Sequence, residues 1–377
     1  MKRNTKRSTA RLITLIFLWM VPIIMLLVKD VDFSEKENRY MASLPVASLT
    51  TLTDGSFMDD VEDYLTDQFP LRDFWVSVKA TTLRALGSNE INNVYICKDN
   101  YLIARESEFD KSNLDELIYS IGVMASRVTS VNVDLMLVPN ASYVYEEKLP
   151  AGVNSGQEDT LAYVKKILST DVGFIDVSTA LKNDFTEQVY YKSDHHWTTR
   201  GAYAAFRAYS SQKNIDTTGI GCEFYTATDC FQGSQSSNSG IYSVKDEIEL
   251  GVPTGWNGSY VVKNVEENSK STTLFDSGKL SQKDKYQVFM GGNYAEVDIT
   301  TTNHTGKNLM VIKDSYANCF IPLLTPYYDS IVVIDPRYYY DDLYDCIAMN
   351  EITDILLLYN INSFMTDNSL SGVLLGN

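Results

Sequence analysis

Residues 307–360, "KNLMVIKDSYANCFIPLLTPYYDSIVVIDPRYYYDDLYDCIAMNEITDILLLYN", decide the fold. Three short apolar runs stand in this stretch: KNLMVI, SIVVI and ITDILLLYN. None alternates polar with apolar, so each reads as a strand buried on both faces. The segments between them, ANCFIPLL and DDLYDCIAMN, read as helices. Strands joined through helical crossovers predict an α/β fold with a parallel sheet covered on both sides.

The same grammar recurs toward the N-terminus. NLDELIYSIGVMASRV places Leu114, Leu117, Ile118, Ile121 and Met124 on one helical face. VDLMLVP follows as a buried strand ending at a proline. EDTLAYVKKILS repeats the helical spacing at Leu161, Val164, Ile167 and Leu168, and GFIDVS is the next strand. TTRGAYAAFRAYSSQ starts a helix with Thr198 as its cap. Residues 213–300, rich in Gly, Ser, Thr, Asn and Tyr with little helical period, read as a β-rich insertion in an α/β domain spanning 96–377. Residues 29–95 form a polar stem and a helical stretch broken near Pro70.

The extreme N-terminus differs in kind. Residues 1–11 carry five basic side chains and no acid, and residues 12–28 carry no charge. A basic flank before an apolar run fits a signal peptide or a membrane anchor. The run approaches the ~20 residues that span a bilayer, and no small-residue cleavage site follows it, which favours a transmembrane anchor. The basic tail then stays in the cytoplasm, and the single-pass chain exposes residues 29–377 on the outer side of the cell membrane.

The 377 residues carry a formal charge of −17, or −22 once the five basic residues of the tail are set aside. Such a body repels phosphate backbones, which argues against nucleic acid as a partner and suits a neutral or cationic polymer. Of the five cysteines, Cys222 and Cys230 are placed to pair in an oxidising compartment, although nothing in the pattern requires it; Cys97, Cys319 and Cys346 read as core. No zinc signature is present in the sequence.

Three polar clusters fall where strands end: SDHHW at 193–197, KDSYAN at 313–318 and YNIN at 359–362. Ligand and catalytic groups of open α/β sheets gather at such ends. A serine on a sharp strand-to-helix turn presents its hydroxyl beside free backbone N–H groups, but it needs a base oriented by a carboxylate to act as a nucleophile. The chain has only His195, His196 and His304 to offer. A serine before a helix, as Ser315 is, is by itself more often an N-cap than a nucleophile, and the histidine pair could be a packed, hydrogen-bonded turn. As a metal site, adjacent ligands in an extended segment point to opposite faces, so no metal is expected. The tyrosine-rich PRYYYDDLY reads as packing at the sheet edge, with Arg337 or a tyrosine able to reach the pocket.

DHHW, KDSYANCFIPLL, IDPRYY and LLLYNIN together resemble the DHHW family of bacterial exported proteins, itself similar to the SGNH-hydrolase-like O-acetyltransferases of alginate acetylation. The resemblance covers most of residues 35–365. It implies an SGNH-hydrolase-like three-layer fold, circularly permuted because the Asp/His block precedes the serine block. It makes Ser315 the nucleophile, with Lys313 where the family block has glycine, His196 the base and Asp194 its orienter. Asn360, or less well Asn362, then corresponds to the oxyanion-hole asparagine, with Tyr316, His195 and Arg337 completing the oxyanion and substrate set; His195 has no clear counterpart. The implied activity is a membrane-anchored, extracytoplasmic O-acetyltransferase that needs no cofactor. It would take acetyl from a membrane-bound O-acyltransferase partner and place it on a cell-envelope or exported polysaccharide through an acyl-enzyme. A carbohydrate esterase with the same triad and a non-catalytic envelope scaffold are the alternatives.

Overall fold

A computed structural model describes residues 19, 20, 23–25, 27–37, 39–183 and 187–376. These fall into two compact units, one within Met1–Ser88 plus Ser237–Tyr242, the other within Asn89–Ser236 plus Ser243–Asn377.

In the smaller unit the expected helical stretch forms helices at Ser56–Asp67 and Arg72–Ala85, separated at Pro70, with Leu71 in the left-handed region. The buried Asp67 carboxylate ties the first of these helices to the preceding segment by accepting from both Nη atoms of Arg39 and from the Ala42 amide. Most of the apolar run at 12–28, on which the anchor reading rests, lies outside the described residues. No helix among the described residues is long and apolar enough to cross a membrane.

The larger unit is built on an eight-stranded sheet. Its elements include, in chain order, α1 (Lys111–Arg127), β1 (Asn132–Val138), α2 (Gln157–Ile167), β2 (Val172–Phe174), α3 (Thr199–Gln212), β3 (Gly221–Phe231), β4 (Asp246–Thr254), β5 (Tyr260–Asn264), β6 (Ser269–Ser271), β7 (Glu296–Thr301), β8 (Asn308–Lys313), β9 (Ser330–Ile334), α4 (Leu343–Met349), β10 (Asp354–Asn360) and α5 (Ile361–Thr366). The strand order is β6-β5-β7-β9-β8-β10-β1-β2. From β9 to β2 every pairing is parallel, with Ile312 of β8 opposite both Ile334 of β9 and Leu357 of β10. The apolar runs of β8, β9 and β10 are buried almost throughout, as two covered faces require. All five apolar residues named on α1 are buried against this sheet.

The sheet is mixed, which corrects the expectation of a wholly parallel one. Strands β5, β6 and β7, all from the 213–300 region, extend it by antiparallel pairing. Strand β7, EVDITT, alternates half-exposed Glu296 and Asp298 with buried Val297 and Ile299, the pattern of a sheet with one wetted face. Of the strands in this region, β3 and β4 stand apart from the large sheet as a two-stranded ribbon. Cys222 and Cys230 are both free. They lie on the same strand, roughly 25 Å apart at strand rise, which overturns the suggested pairing because a disulfide needs Cα atoms within about 7 Å.

A second correction concerns ANCFIPLL. In place of one helix the chain makes a 3₁₀ turn at Ser315–Cys319, a single α turn at Ile321–Leu324 and another 3₁₀ turn at Thr325–Tyr327. Pro322 and Pro326 each remove a backbone donor and restart the helix, so no long one propagates.

Candidate active site

The carboxyl end of β8 delivers Ser315. Asp314 caps the turn by accepting the Tyr316 amide at 2.9 Å on one oxygen and the Asn360 amide, from the end of neighbouring β10, at 2.9 Å on the other. Burial raises the Asp314 pKa, against the pull of those two amides. Beneath the turn, Lys313 is wholly buried and donates to Asn293 Oδ1 at 2.7 Å and Asp335 Oδ2 at 3.2 Å. Burial lowers its pKa, and Asp335 opposes that fall. Arg337 closes the cluster with two hydrogen bonds to the Asp335 carboxylate, at 2.8 and 2.6 Å.

The DHHW segment arrives from the middle of the chain and is held by side chains. The buried Asp246 carboxylate on β4 accepts from the Lys192 amide at 2.9 Å, the Ser193 amide at 2.7 Å, the Ser193 hydroxyl at 2.6 Å and Gln188 Nε2 at 3.0 Å. Trp197, fully buried, donates Nε1–H to the carbonyl of Tyr316, the residue after Ser315, at 2.9 Å. Thr198 caps α3 as expected, accepting from the Gly201 amide. The motif's tryptophan therefore anchors it to the serine turn.

Ser315 Oγ lies 2.8 Å from His196 Nε2, and His196 Nδ1 lies 2.6 Å from Asp194 Oδ1. The other Asp194 oxygen accepts from the Ser234 amide at 2.8 Å and the Ser234 hydroxyl at 3.0 Å. Burial alone would raise the Asp194 pKa; the adjoining imidazoles of His195 and His196 and these hydrogen bonds outweigh it and hold the carboxyl well below the ordinary range. Gly233 makes room for the carboxylate, since a Cβ there would stand 2.2 Å from both Asp194 Cβ and Oδ2. Tyr286 stacks flat on the His196 ring at 3.8 Å and 9°, with its hydroxyl 3.3 Å from the Ser315 carbonyl and from Cys319 Sγ.

The remaining predicted site residues divide. His195 packs its ring on His196 at 3.9 Å and keeps 40% of its side chain exposed. Tyr316 is buried, with its hydroxyl donating to the His195 carbonyl and its ring 5.2 Å from that of His196. The Asn360 side chain faces away from Ser315's hydrogen-bonding partners: its Nδ2 donates to the Val138 carbonyl and Asn140 Oδ1, and its Oδ1 accepts the Asn362 amide. Arg337 reaches the cluster under the turn through Asp335 and makes no hydrogen bond to Ser315, His196 or Asp194 among the described residues. His304 plays no part: it lies in the link between β7 and β8, at the amino end of β8 and so at the opposite rim from Ser315.

Asp194, His195 and His196 bring one potential metal-ligand atom each within 4.8 Å of one another. Both nitrogens of His196 and both oxygens of Asp194 are already engaged, so a cation there must break the relay to Ser315. Four supporting residues had gone unnoticed in the sequence: Gly233, Ser234, Asp246 and Tyr286. The one signal that could have found any of them is DEIEL at 246–250, where a carboxylate falls on the apolar side of an alternating strand.

Comparison with known proteins gave three matches of note. The DHHW protein family model matches residues 80–334. A DHHW family protein from Eubacterium siraeum superposes with a TM-score of 0.65 at 24% identity, over 76% of this chain and 96% of that one. Bacillus cereus PatB1, solved with a sulfonyl adduct, superposes with a TM-score of 0.63 at 19% identity, over 74% and 97%. At these identities the likeness is one of fold. A search of curated proteins gave no match.

Proposed function

The chain belongs to the DHHW family, and from that premise we propose that it is a membrane-anchored, extracytoplasmic O-acetyltransferase that modifies a cell-envelope or exported polysaccharide through an acyl-enzyme on Ser315. The observation that carries the reading is the relay itself: hydroxyl, imidazole and carboxylate in series at 2.8 and 2.6 Å. The hydroxyl and the imidazole come from distant parts of the chain, Ser315 being 119 positions after His196. A serine that only capped a helix would have no use for such a partner.

In the first half-reaction Ser315 Oγ attacks the carbonyl of an acyl donor while His196 Nε2 takes its proton. The tetrahedral intermediate collapses, and His196 returns the proton to the departing alcohol, leaving acyl-Ser315. In the second, an acceptor hydroxyl gives its proton to His196 and attacks the acyl carbon, and Ser315 leaves with that proton. Asp194, kept ionised, stabilises the imidazolium that forms in each half. The Ser315 amide opens its 3₁₀ turn and has no acceptor among the described residues, which makes it the first candidate for the oxyanion. Asn360 acts through Asp314, which it holds against the turn, and Lys313 takes the place of the family glycine by pinning the strand end from below. The sulfonyl adduct on PatB1 supports a reactive nucleophile on this fold.

The uncharged run at 12–28 and the basic tail support the anchor and its orientation. The acidic body supports a neutral or cationic glycan as acceptor; the membrane-bound O-acyltransferase donor rests on the resemblance to the alginate acetylation proteins alone. The test is acetyl transfer from p-nitrophenyl acetate to a soluble glycan, set against release of acetate to water. The full-length chain is expected to transfer, and His196→Gln to lose about 10²–10⁴-fold in rate. Release to water alone, with no glycan ester formed, would make it an esterase; an unaffected His196→Gln variant would remove the enzymatic reading.

A further inference from the structure

The second histidine of the motif is left over by the relay, and its hydrogen bonds fix its chemistry. Asp194 is ionised and accepts only, so the single proton of the Ser234 hydroxyl points to Asp194 Oδ2. Ser234 Oγ must then accept from its other neighbour, His195 Nδ1, at 2.7 Å. That assigns the His195 proton to Nδ1 and leaves Nε2 with a bare lone pair. No partner occupies Nε2 among the described residues, and 40% of the side chain is open to solvent.

The stacking places that lone pair near the reacting groups. The ring centroids of His195 and His196 are 3.9 Å apart with planes 37° from parallel, so every atom of the His195 ring, Nε2 included, lies close to the ring whose own Nε2 meets Ser315.

Resting on the transfer reading, we propose that His195 Nε2 accepts a hydrogen bond from the hydroxyl adjacent to the one that reacts, so that the site selects acceptors bearing two neighbouring hydroxyls, as a pyranose ring does. One hydroxyl delivers its proton to His196 and attacks acyl-Ser315, while its neighbour donates to His195 and sets the ring's orientation. No proton is transferred to His195, and the balance of the acyl step is unchanged. Burial, reinforced by the neighbouring His196 and opposed by Asp194, holds the His195 pKa at about 4, so the lone pair stays available at neutral pH. A neutral imidazole beside the base adds no competing charge.

The experiment compares trans-1,2-cyclohexanediol with cyclohexanol as acceptors for the acetylated full-length chain. His195→Asn keeps a side-chain amide where Nδ1 meets Ser234 and lacks anything at Nε2; His195→Gln restores a polar atom near Nε2. The expected result is a wild-type preference for the diol of about five- to tenfold, the size of one neutral hydrogen bond. His195→Asn should lose that preference through a raised KM for the diol relative to cyclohexanol, a ratio in which any change in acylation common to both alcohols cancels, and His195→Gln should recover part of it. An unchanged diol-to-cyclohexanol ratio in His195→Asn, or no difference between the two variants, overturns the inference. A wild-type chain that acetylates Ser315 but esterifies neither alcohol overturns the transfer reading and this inference with it; equal transfer to both alcohols overturns this inference alone.

Discussion

Ser315 follows a strand whose neighbours on either side run parallel to it and are buried almost throughout, whereas His196 sits in an irregular segment held by Ser234, Asp246 and Tyr286 and given room by Gly233. The first placement is a consequence of the sheet. Its backbone ladder and apolar burial fix where β8 stops, and the Asp314 cap fixes how the chain turns there. The second is a consequence of polar contacts made across 40 to 90 positions of sequence. Stability resides mostly in the parallel half and alignment mostly in the side-chain clamp, so mutations in the two regions should fail in different ways.

The sharpest separation comes from Asp246→Ala set beside Leu356→Ala. Losing the Asp246 carboxylate strands three donors in the Lys192–Ser193 turn and one in Gln188. The cost is about 3 kcal/mol or more of unfolding free energy, and acylation of Ser315 should fall by at least about tenfold even at temperatures where the variant is fully folded, because the DHHW turn relaxes. Leu356→Ala, in the core of β10, should cost a similar ~2–5 kcal/mol while leaving the acylation rate of the folded fraction unchanged. Urea titration and stopped-flow acylation on both variants measure this. Equal kinetic damage from the two would erase the distinction between the regions.

Gly233→Ala should be milder in stability and selective in activity. The added methyl meets Asp194, so either the 231–234 loop or the carboxylate must move, at about 1–3 kcal/mol. The expected signature is a fall in the acylation rate that Ser234→Ala does not reproduce in full, read from the same burst assay.

How much of this was legible in the sequence follows the same line. Residues 307–360 show their strands because a strand covered on both faces must be apolar throughout, and KDS at the end of one of them marks the turn. The pairing of His196 with Asp194 came from the family resemblance, whose D-x-H block falls on these two residues; the residues by themselves left His195, His196 and His304 open. Asp246, Gly233 and Tyr286 were not readable, since a hydrogen bond or stacking contact across tens of residues leaves no periodicity. The antiparallel edge was missed for a related reason: the alternating Glu296 and Asp298 of β7 resemble those of a surface strand in an insertion, and only the register shows that it joins β9. Asn360 shows the limit of a single position, because its side chain serves Asn140 and Val138 while its backbone serves Asp314.

The smallest effect is a pH dependence confined to the clamp. His195 has its pKa depressed from 6.5 to about 4 by burial and by His196. Between those values the unfolded chain binds a proton that the folded chain refuses, so this group's contribution to stability is complete above pH 6.5 and is lost progressively as pH falls toward 4. Asp194, depressed from its ordinary 3.8, adds a further loss below that value. His195→Asn should flatten the first part of the profile and leave the second; an unaltered slope between pH 6.5 and 4 in chemical denaturation would place the titration elsewhere.

The most direct measurement is intact-mass analysis of the full-length chain quenched during reaction with p-nitrophenyl acetate, followed by peptide mapping. One acetyl group on Ser315 in the wild type, absent from Ser315→Ala and accumulating far more slowly in His196→Gln, is the predicted result. Equal acetylation of the wild type and Ser315→Ala, or label that never maps to residues 313–318, would contradict a relay that ends on this serine.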